Sequence, residues 1–309
     1  MEPTFKAIAE IAADNRSGAA QIAERAANIL LQRAASGQAP SADAFRHEIL
    51  AIGRALIRAQ MVMAPLVNLV NAVLWRMEQG DSPRSLSRAV EQTTEEFKRQ
   101  IQQHALHVAE GTLGLIDEGS QIVTLSFSST IQHALIHAQR AGRRLEVLCA
   151  ESQPGREGRD TATVLRSCGV AAILLDDESA LAAVEHADLV LVGADMLTHR
   201  GLINKVGTAP MALAAHTAGT PFYTLCGSEK FLPPGFRPGN RSISWANNGD
   251  AVEAYQLELG DLPFDFTPLE LLSGIVTEKG ILPVAAIEAW LAATQLHPAL
   301  AQHSAEVAL

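Results

Sequence analysis

Residues 189–231, LVLVGADMLTHRGLINKVGTAPMALAAHTAGTPFYTLCGSEKF, decide the fold of this 309-residue chain. The opening apolar run predicts a buried strand that delivers Asp195 to its carboxyl end. We expect a loop carrying Asn204 and Lys205 next, followed by a helix and a second apolar strand that ends near Lys230. Ligands of open α/β sheets bind outside the carboxyl ends of the strands. The segment therefore predicts an acid and two lysines around one crevice, which is the layout of a site for a phosphorylated small molecule.

Short apolar runs recur before and within this segment. They lie at residues 121–126, 145–150, 170–175, 188–193 and 221–225. Helical stretches of about ten to fifteen residues separate them, which is typical of βαβ units and a buried parallel sheet. A loop rich in Pro, Gly and Asn is expected at 232–250. Because residues 1–110 show helical periodicity almost throughout, the predicted fold class is α/β, with an N-terminal all-helical domain at residues 1–110 and a doubly wound domain with a mainly parallel sheet at residues 111–309.

The charge balance narrows the possible partners. The chain has 24 Lys and Arg against 34 Asp and Glu, a net charge of −10, which argues against broad electrostatic binding to nucleic acid or to an anionic membrane. Its three cysteines lack CxxC spacing, so neither a disulfide framework nor a zinc site is indicated, and a reducing cytoplasm fits best. The N-terminal stretch lacks the plan of a signal peptide, and no apolar run approaches the length of a membrane span. We expect a cytoplasmic protein with no membrane partner and no direct nucleic-acid partner.

Hydroxyl side chains follow the first predicted strand. Ser128, Ser129 and Thr130 stand where the next helix begins, and hydroxyls with free backbone N–H groups at a helix N-terminus form an anion site. Plain N-capping also selects serine and threonine, and the two interpretations are compatible. Asp195 has a similar alternative as a cap of the segment that follows it. The two lysines are point charges suited to phosphate, although most lysines are simply solvated surface residues.

A helix start near the N-terminus has the same character. Arg16, Ser17, Gly18 and Ala19 combine an arginine with a turn of small residues. Such an arrangement suits an anion, but it is also a common capping sequence.

The sequence predicts neither a metal nor an organic cofactor. Two histidine pairs have helical spacing, His104 with His107 and His133 with His137. Neither pair has a glutamate base or an evident third ligand, so solvated helix faces are the better interpretation. The chain also lacks a GxGxxG after a strand, a GxxxxGKS/T loop and a GxSxG turn, so dinucleotide, P-loop and hydrolase sites have no signature here.

Taken in order, several motifs resemble one family. They are RSGAAQIAERAA at 16–27, TLSFSST at 124–130, AESQPGREGRDTA at 150–162, the segment from ADLVLVGAD to GTPFY at 187–223, SEKF at 228–231 and FDFTPLELLSGIVTEKGILP at 264–283. The series is similar to the superfamily that joins ribose-1,5-bisphosphate isomerase, methylthioribose-1-phosphate isomerase and the α, β and δ regulatory subunits of eukaryotic translation initiation factor 2B. The resemblance implies an N-terminal helical domain and a Rossmann-like C-terminal domain that forms a homodimer or a higher homo-oligomer.

The resemblance also implies an activity and its residues. In the isomerases of this family a sugar phosphorylated at C1 opens and becomes a ketose, while a cysteine and an aspartate handle protons. The aspartate matches Asp195, and the position of the cysteine is Ser128. The phosphates and hydroxyls of the ligand are held by residues that match Arg16, Ser17, Gly18, Ala19, Ser129, Thr130, Asn204, Lys205 and Lys230.

Ser128 separates two functional hypotheses. A serine hydroxyl with no adjacent base is hardly ionised near neutral pH, whereas a thiol with a pKa of about 8.5 carries protons readily. One hypothesis is a sugar-phosphate aldose–ketose isomerase of the ribose-1,5-bisphosphate isomerase type, in which Ser128, Cys149 or Cys226 carries protons beside Asp195. The other is a non-catalytic regulatory or metabolite-sensing protein that binds a sugar phosphate or a nucleotide without turnover.

Overall fold

A computed structural model of the protein describes residues 2–36, 39–237 and 263–301, so most of the loop predicted at 232–250 lies outside the described residues. Internal contacts divide the chain into two compact units. The first comprises Met1–Gln102, Glu229–Gly239 and Leu291–Leu309, and the second comprises Gln103–Ser228 and Asn240–Trp290. Residues 291–301 therefore group with the N-terminal helices rather than with the sheet.

Helices build the first unit. They are α1 (Glu2–Ala12), α2 (Ala19–Ala35), α3 (Ala42–Ala59), α4 (Ala64–Met77) and α5 (Pro83–Thr112), of which α5 contributes residues to both units. Their apolar faces are buried, and Leu30, Phe45 and Leu56 are at most 2% exposed. Each such side chain contributes about 1.5–3 kcal/mol relative to its exposed state. The hydroxyl of Ser41 caps α3 by accepting a hydrogen bond from the backbone N–H of Ala44 at 3.1 Å.

Strands and helices alternate in the second unit. The strands are β1 (Gln121–Leu125), β2 (Glu146–Ala150), β3 (Ala171–Leu175), β4 (Leu189–Val192), β5 (Met196–Leu197), β6 (Gly201–Lys205), β7 (Phe222–Leu225), β8 (Phe264–Pro268), β9 (Gly274–Thr277) and β10 (Gly280–Leu282). The helices are α6 (Ser129–Arg140), α7 (Gly158–Ser167), α8 (Asp177–Ala183) and α9 (Thr208–Ala218). Helix α10 (Ile287–Ala292) contributes residues to both units, and α11 (Pro298–Ala301) belongs to the first.

Seven of these strands form one sheet in the order β10-β9-β7-β4-β1-β2-β3. Every neighbouring pair is parallel except β10 with β9. The predicted α/β class with a mainly parallel sheet is confirmed. The five strands predicted between residues 121 and 225 each lie within the apolar run that predicted them.

Side chains on one face of this sheet form an apolar core with α6 and α7. Ile122 of β1 and Cys149 of β2 lie in that cluster with Leu135 of α6. Successive residues of a strand face opposite sides, so Leu125 faces the other side, where it borders a cavity that residues of α8 and α9 also line. Within the described ranges, no helix is both long and apolar enough to cross a lipid bilayer.

A second sheet corrects one sequence prediction. The strands β5, β6 and β8 form an antiparallel sheet, so Asn204 and Lys205 end a strand, and the loop predicted for them is wrong. In the register of β6 with β8, Asn204 pairs with Asp265 and Lys205 pairs with Phe264. The pairing partner lies about sixty residues further along the chain, and local periodicity does not reveal such a partner.

Candidate functional site

The strand order of the large sheet reverses between β1 and β4. From β1 the chain adds β2 and β3 on one side, whereas β4, β7 and β9 follow on the other. Ligands of doubly wound sheets bind in the crevice at such a switch point, outside the carboxyl ends of the strands. Here those ends are Leu125 of β1 and Val192 of β4.

Ser128 lies at this switch point and faces the end of β4. A Cβ atom added to Gly193 would lie 2.7 Å from Ser128 Oγ and 3.9 Å from Asn204 Oδ1. The hydroxyl and the amide oxygen therefore meet over the backbone of Gly193, in space that only glycine leaves open. Ser128 is also the N-cap of α6, because its hydroxyl accepts a hydrogen bond from the backbone N–H of Ile131 at 3.3 Å. Ser129 and Thr130, half-buried, form the first turn of that helix.

The turn before Ser128 is held by hydrogen bonds with a loop residue and with a residue of α7. Ser126 has a φ of +60°, in the left-handed region that non-glycine residues rarely occupy. Its N–H donates to Ser152 Oγ at 2.7 Å, and its carbonyl accepts from Thr161 Oγ1 at 2.8 Å. Backbone strain of this kind costs on the order of 1–3 kcal/mol and persists only where the surroundings impose it.

The β5–β6 hairpin brings Asp195 beside the strand that carries Asn204. Asp195 directly precedes β5, and its backbone N–H donates to the carbonyl of Ile203 at 3.1 Å. Asn204 is 7% exposed, and its Nδ2 donates to Thr208 Oγ1 at 3.0 Å. The Ser128 hydroxyl and the Asn204 amide therefore lie together at the carboxyl ends of β1 and β4. The backbone of Asp195 lies beside the strand that carries Asn204.

Lys205 and Asn204 contact different residues, because successive side chains of a strand point to opposite faces. Its Nζ lies 2.8 Å from Oε1 of Glu157, and the two side chains are 8% and 6% exposed. A buried charge is costly unless it is paired. Glu157, which follows β2 in the loop before α7, therefore neutralises the lysine that sequence analysis assigned to the ligand.

A second carboxylate occupies the start of α9. Asp265 Oδ2 accepts hydrogen bonds from the backbone N–H groups of Gly207 at 2.8 Å and Ala209 at 3.0 Å. Burial raises the pKa of Asp265 to about 6, although these N–H groups favour the ionised form. Gly207 has a φ of +104°, which glycine alone adopts without strain. The positive end of α9 is thus satisfied within the chain.

Arg16, Ser17, Gly18 and Ala19 lie in the first unit, at the start of α2. Asp14 binds this turn: it accepts from the backbone N–H groups of Arg16 at 3.0 Å and Ser17 at 2.9 Å, and from the Ser17 hydroxyl at 2.8 Å. Burial raises the pKa of the Asp14 carboxyl, but the hydrogen bonds from Ser17 and Arg16 outweigh it and lower the pKa to about 2. Gly18 is the N-cap residue of α2 and no side chain among the described residues caps the helix, so the Ser17 hydroxyl is used by Asp14 rather than as a cap.

Lys230 also belongs to the first unit and is 5% exposed. The carbonyls on either side of it, those of Glu229 and Phe231, accept hydrogen bonds from Asn68 Nδ2 at 2.7 and 2.8 Å. Within residues 2–36, 39–237 and 263–301, no carboxylate forms an ion pair with Lys230. A buried ammonium group of this kind suits an anionic ligand.

Cys149 does not supply a proton carrier in place of Ser128. Cys149 is fully buried in the apolar core, and burial raises the pKa of its thiol to about 12. The prediction that Cys149 carries protons is therefore wrong, because a thiol in apolar surroundings does not ionise near neutral pH. Cys226 is fully buried as well, at the end of β7.

Sequence reasoning missed two residues of this region, Glu157 and Asp265. Both were part of motifs that had been singled out for other reasons. A signal for Glu157 existed, because a lysine at the end of a buried strand needs a counter-charge. No local signal marked Asp265, whose contacts depend on the pairing of β8 with β6.

Comparisons with known proteins agree with this architecture. The model of the initiation factor 2 subunit family matches residues 15–284. Ribose 1,5-bisphosphate isomerase of Archaeoglobus fulgidus is 29% identical over 288 residues, which cover 92% of this chain and 90% of that protein. The crystal structure of translation initiation factor eIF-2B from Pyrococcus horikoshii OT3 has a TM-score of 0.78 and 26% identity, with 92% of this chain and 98% of that chain covered. The tetrameric eIF2B β2δ2 complex of C. thermophilum shares the fold at a TM-score of 0.76 and 23% identity, with 94% and 93% covered.

Proposed function

Because the chain belongs to the initiation factor 2 subunit family, we propose that it binds a phosphorylated sugar and isomerises it from an aldose to a ketose. The relative from Archaeoglobus fulgidus, named ribose 1,5-bisphosphate isomerase, supports this choice of reaction because the alignment covers nearly all of both chains. An aldose–ketose isomerisation oxidises one carbon of the substrate and reduces its neighbour, so the reaction needs no organic cofactor.

One observation carries the proposal. The Ser128 hydroxyl and the Asn204 amide meet over Gly193, at the switch point of the sheet, and Asp195 follows two residues later. A scaffold has no evident need for polar groups converging on the open backbone of a glycine at this place.

The reaction requires proton transfers that suit such groups. When the ring of a sugar 1-phosphate opens to a ketose, the C2 carbon and the C2 hydroxyl each lose a proton, and the ring oxygen and C1 each gain one. We assign the transfer between carbons to the Asp195 carboxylate and a hydrogen bond to the reacting oxygen to the Ser128 hydroxyl. Isomerisation moves protons and electrons within one molecule, so no oxidant or reductant is consumed.

The proposal is tested by incubating the protein with ribose 1,5-bisphosphate and following the ketose signals by NMR. We expect ketose with the wild type and none with Asp195→Asn, which keeps the shape of the side chain but cannot accept a proton. Asp43→Asn is the matched control, because the Asp43 side chain is 87% exposed. Absence of ketose with the wild type at high protein concentration would refute the assignment as an isomerase.

The second candidate is a metabolite sensor without turnover. The position of the family's cysteine holds Ser128, and Cys149 cannot replace it because of its raised pKa. A thermal shift measurement together with the NMR assay distinguishes the two candidates: ribose 1,5-bisphosphate or a nucleoside monophosphate stabilises a sensor, and NMR then shows no conversion. A ligand at about 100 times its Kd adds about 2.7 kcal/mol to the free energy of unfolding.

The remaining assignments rest on the family resemblance and stay predictions. We propose that the ligand is held by Arg16, Ser17, Gly18, Ala19, Ser129, Thr130, Asn204, Lys205 and Lys230. A homodimer or higher homo-oligomer and a cytoplasmic location are proposed on the same footing, and the C. thermophilum relative is itself a tetramer.

A further inference from the structure

The ion pair between Glu157 and Lys205 leaves one charged oxygen without a partner. Oε1 of Glu157 lies 2.8 Å from Lys205 Nζ. Oε2 is buried and has no hydrogen-bond partner among the described residues. Buried carboxylate oxygens are nearly always hydrogen-bonded, since losing water without compensation is costly. An unpartnered oxygen on a side chain that is 6% exposed marks a place for a hydrogen-bond donor from outside the chain.

The loop holds the Glu157 carboxylate in place. A Cβ atom added to Gly155 would lie 2.1 Å from Oε1 and 2.8 Å from Oε2, so the carboxylate packs directly on the backbone of Gly155. Directly after Glu157, a Cβ atom added to Gly158 would lie 1.8 Å from the carbonyl oxygen of Ala150. The Glu157 carboxylate therefore packs on Gly155, and the backbone directly after Glu157 packs closely on Ala150, which leaves the carboxylate little freedom to leave Lys205.

We propose that Glu157 is a specificity-determining residue of the ligand site. Together with Lys205 it binds a hydroxyl group of the ligand, and it keeps a phosphate group away from Lys205. The inference rests on the proposed function, because it takes a phosphorylated sugar as the ligand.

A sugar hydroxyl and a phosphate group differ in whether they can donate a hydrogen bond to Glu157. A sugar hydroxyl donates its proton to Oε2 and accepts a hydrogen bond from Nζ, which has donors left beyond the one used by Glu157. A phosphate dianion has no proton to donate, and at Lys205 it would stand next to the negative charge of Glu157. Two negative charges in direct contact repel each other strongly in a site that contains little water. The pair therefore selects an uncharged polar group and leaves phosphate to other cations.

Binding of two probes to three proteins tests this inference. Inorganic phosphate and ribose 1,5-bisphosphate are titrated by calorimetry into the wild type, Glu157→Gln and Glu185→Gln. We expect Glu157→Gln to bind inorganic phosphate about tenfold more tightly than the wild type or better, a change of about 1.4 kcal/mol. Glu185 is exposed, so Glu185→Gln removes the same charge away from Lys205 and should leave both affinities unchanged. Equal or weaker phosphate binding by Glu157→Gln would overturn the inference.

A second variant keeps the test valid if Glu157→Gln is too unstable to fold. Glu157→Gln leaves Lys205 as a buried cation without a partner, whereas Glu157→Gln combined with Lys205→Gln buries no charge. In that double variant, ribose 1,5-bisphosphate should bind within about threefold of the wild type, because amides also bind hydroxyl groups. A loss of about tenfold or more would place a phosphate at Lys205 and overturn the inference.

Failure of the proposed function gives a different result. The wild type would then not convert ribose 1,5-bisphosphate, while the affinities for inorganic phosphate would still distinguish Glu157→Gln from the wild type. If the wild type binds the bisphosphate and Glu157→Gln binds both probes equally well, the function stands and the role of Glu157 falls.

Discussion

At the scale of single residues, the Ser128 hydroxyl limits the chemistry of the site. It is a hydrogen-bond donor and acceptor that already accepts the N–H of Ile131, and it does not ionise near neutral pH. We predict that Ser128→Cys raises the rate of ketose formation about tenfold or more, because a thiol with a pKa of about 8.5 exchanges protons far more readily. Ser167→Cys, at the exposed end of α7, controls for an unspecific effect of an added thiol. An unchanged or lower rate in Ser128→Cys would remove residue 128 from the proton transfer.

Gly193 gives a second test at this scale. Its added Cβ would lie 2.7 Å from Ser128 Oγ and 3.0 Å from Ser128 Cβ. We predict that Gly193→Ala lowers the free energy of unfolding by about 1–3 kcal/mol and weakens ligand binding, as measured by urea denaturation and calorimetry. Gly114→Ala is the matched control, since an added Cβ there meets nothing within 4 Å. Equal stability of the two variants would contradict the close approach of Ser128 to Gly193.

The residues of the site differ in how far sequence could predict them. Asp195 and Ser128 follow apolar strands, so their place at the strand ends could be read from local pattern. The partners of Lys205 could not, because Glu157 lies 48 residues earlier in a loop that also reads as an ordinary solvated surface. Tertiary contacts between loops leave no periodic signal in the chain.

At the scale of elements, Asp265 of β8 links the small sheet to the start of α9. The pKa of its carboxyl is raised by burial from 3.8 to about 6. The folded protein therefore holds the proton more tightly than the unfolded chain, and the free energy of unfolding falls as the pH rises between about 4 and 6. Two pKa units correspond to about 3 kcal/mol.

The Asp265→Asn side chain cannot titrate, so this variant should lose the pH dependence that Asp265 gives to the free energy of unfolding. We predict that the stability of the wild type, relative to Asp265→Asn, falls by up to about 3 kcal/mol from pH 4 to pH 7, measured by urea denaturation at each pH. Asp176 is a useful contrast: the hydrogen bond from the backbone N–H of Ser179 lowers the pKa of its carboxyl, so Asp176→Asn should give the opposite sign. Parallel pH profiles for Asp265→Asn and the wild type would contradict the buried state of Asp265.

The elements also show where sequence prediction ends. The strands β1 to β4 and β7 are apolar runs between helices, and each was predicted because burial on both faces requires such a run. Strand β6 has only Leu202 and Ile203 as large apolar residues and ends in Asn204 and Lys205. Its pairing with β8 supplies the stability that its own composition does not.

At the scale of the whole molecule, the strand order of the large sheet is the basis for the proposed ligand position. The order reverses between β1 and β4, and the polar residues that sequence analysis singled out in the second unit follow the carboxyl ends of these strands or lie on the adjoining hairpin. Two units share the chain, and residues 291–301 group with the first of them. No periodicity predicts this grouping, since it depends on long-range contacts such as that of Arg54 with the carbonyl of Ala299 at 2.9 Å.

The most direct test of the account is a crystal structure of Asp195→Asn with ribose 1,5-bisphosphate, in which the ligand stays unconverted. We predict that the sugar lies outside the carboxyl ends of β1 and β4, with a reacting carbon within about 3–3.5 Å of the side chain at position 195 and a reacting oxygen within hydrogen-bond distance of Ser128 Oγ. A sugar that binds away from the carboxyl ends of these two strands would contradict this prediction.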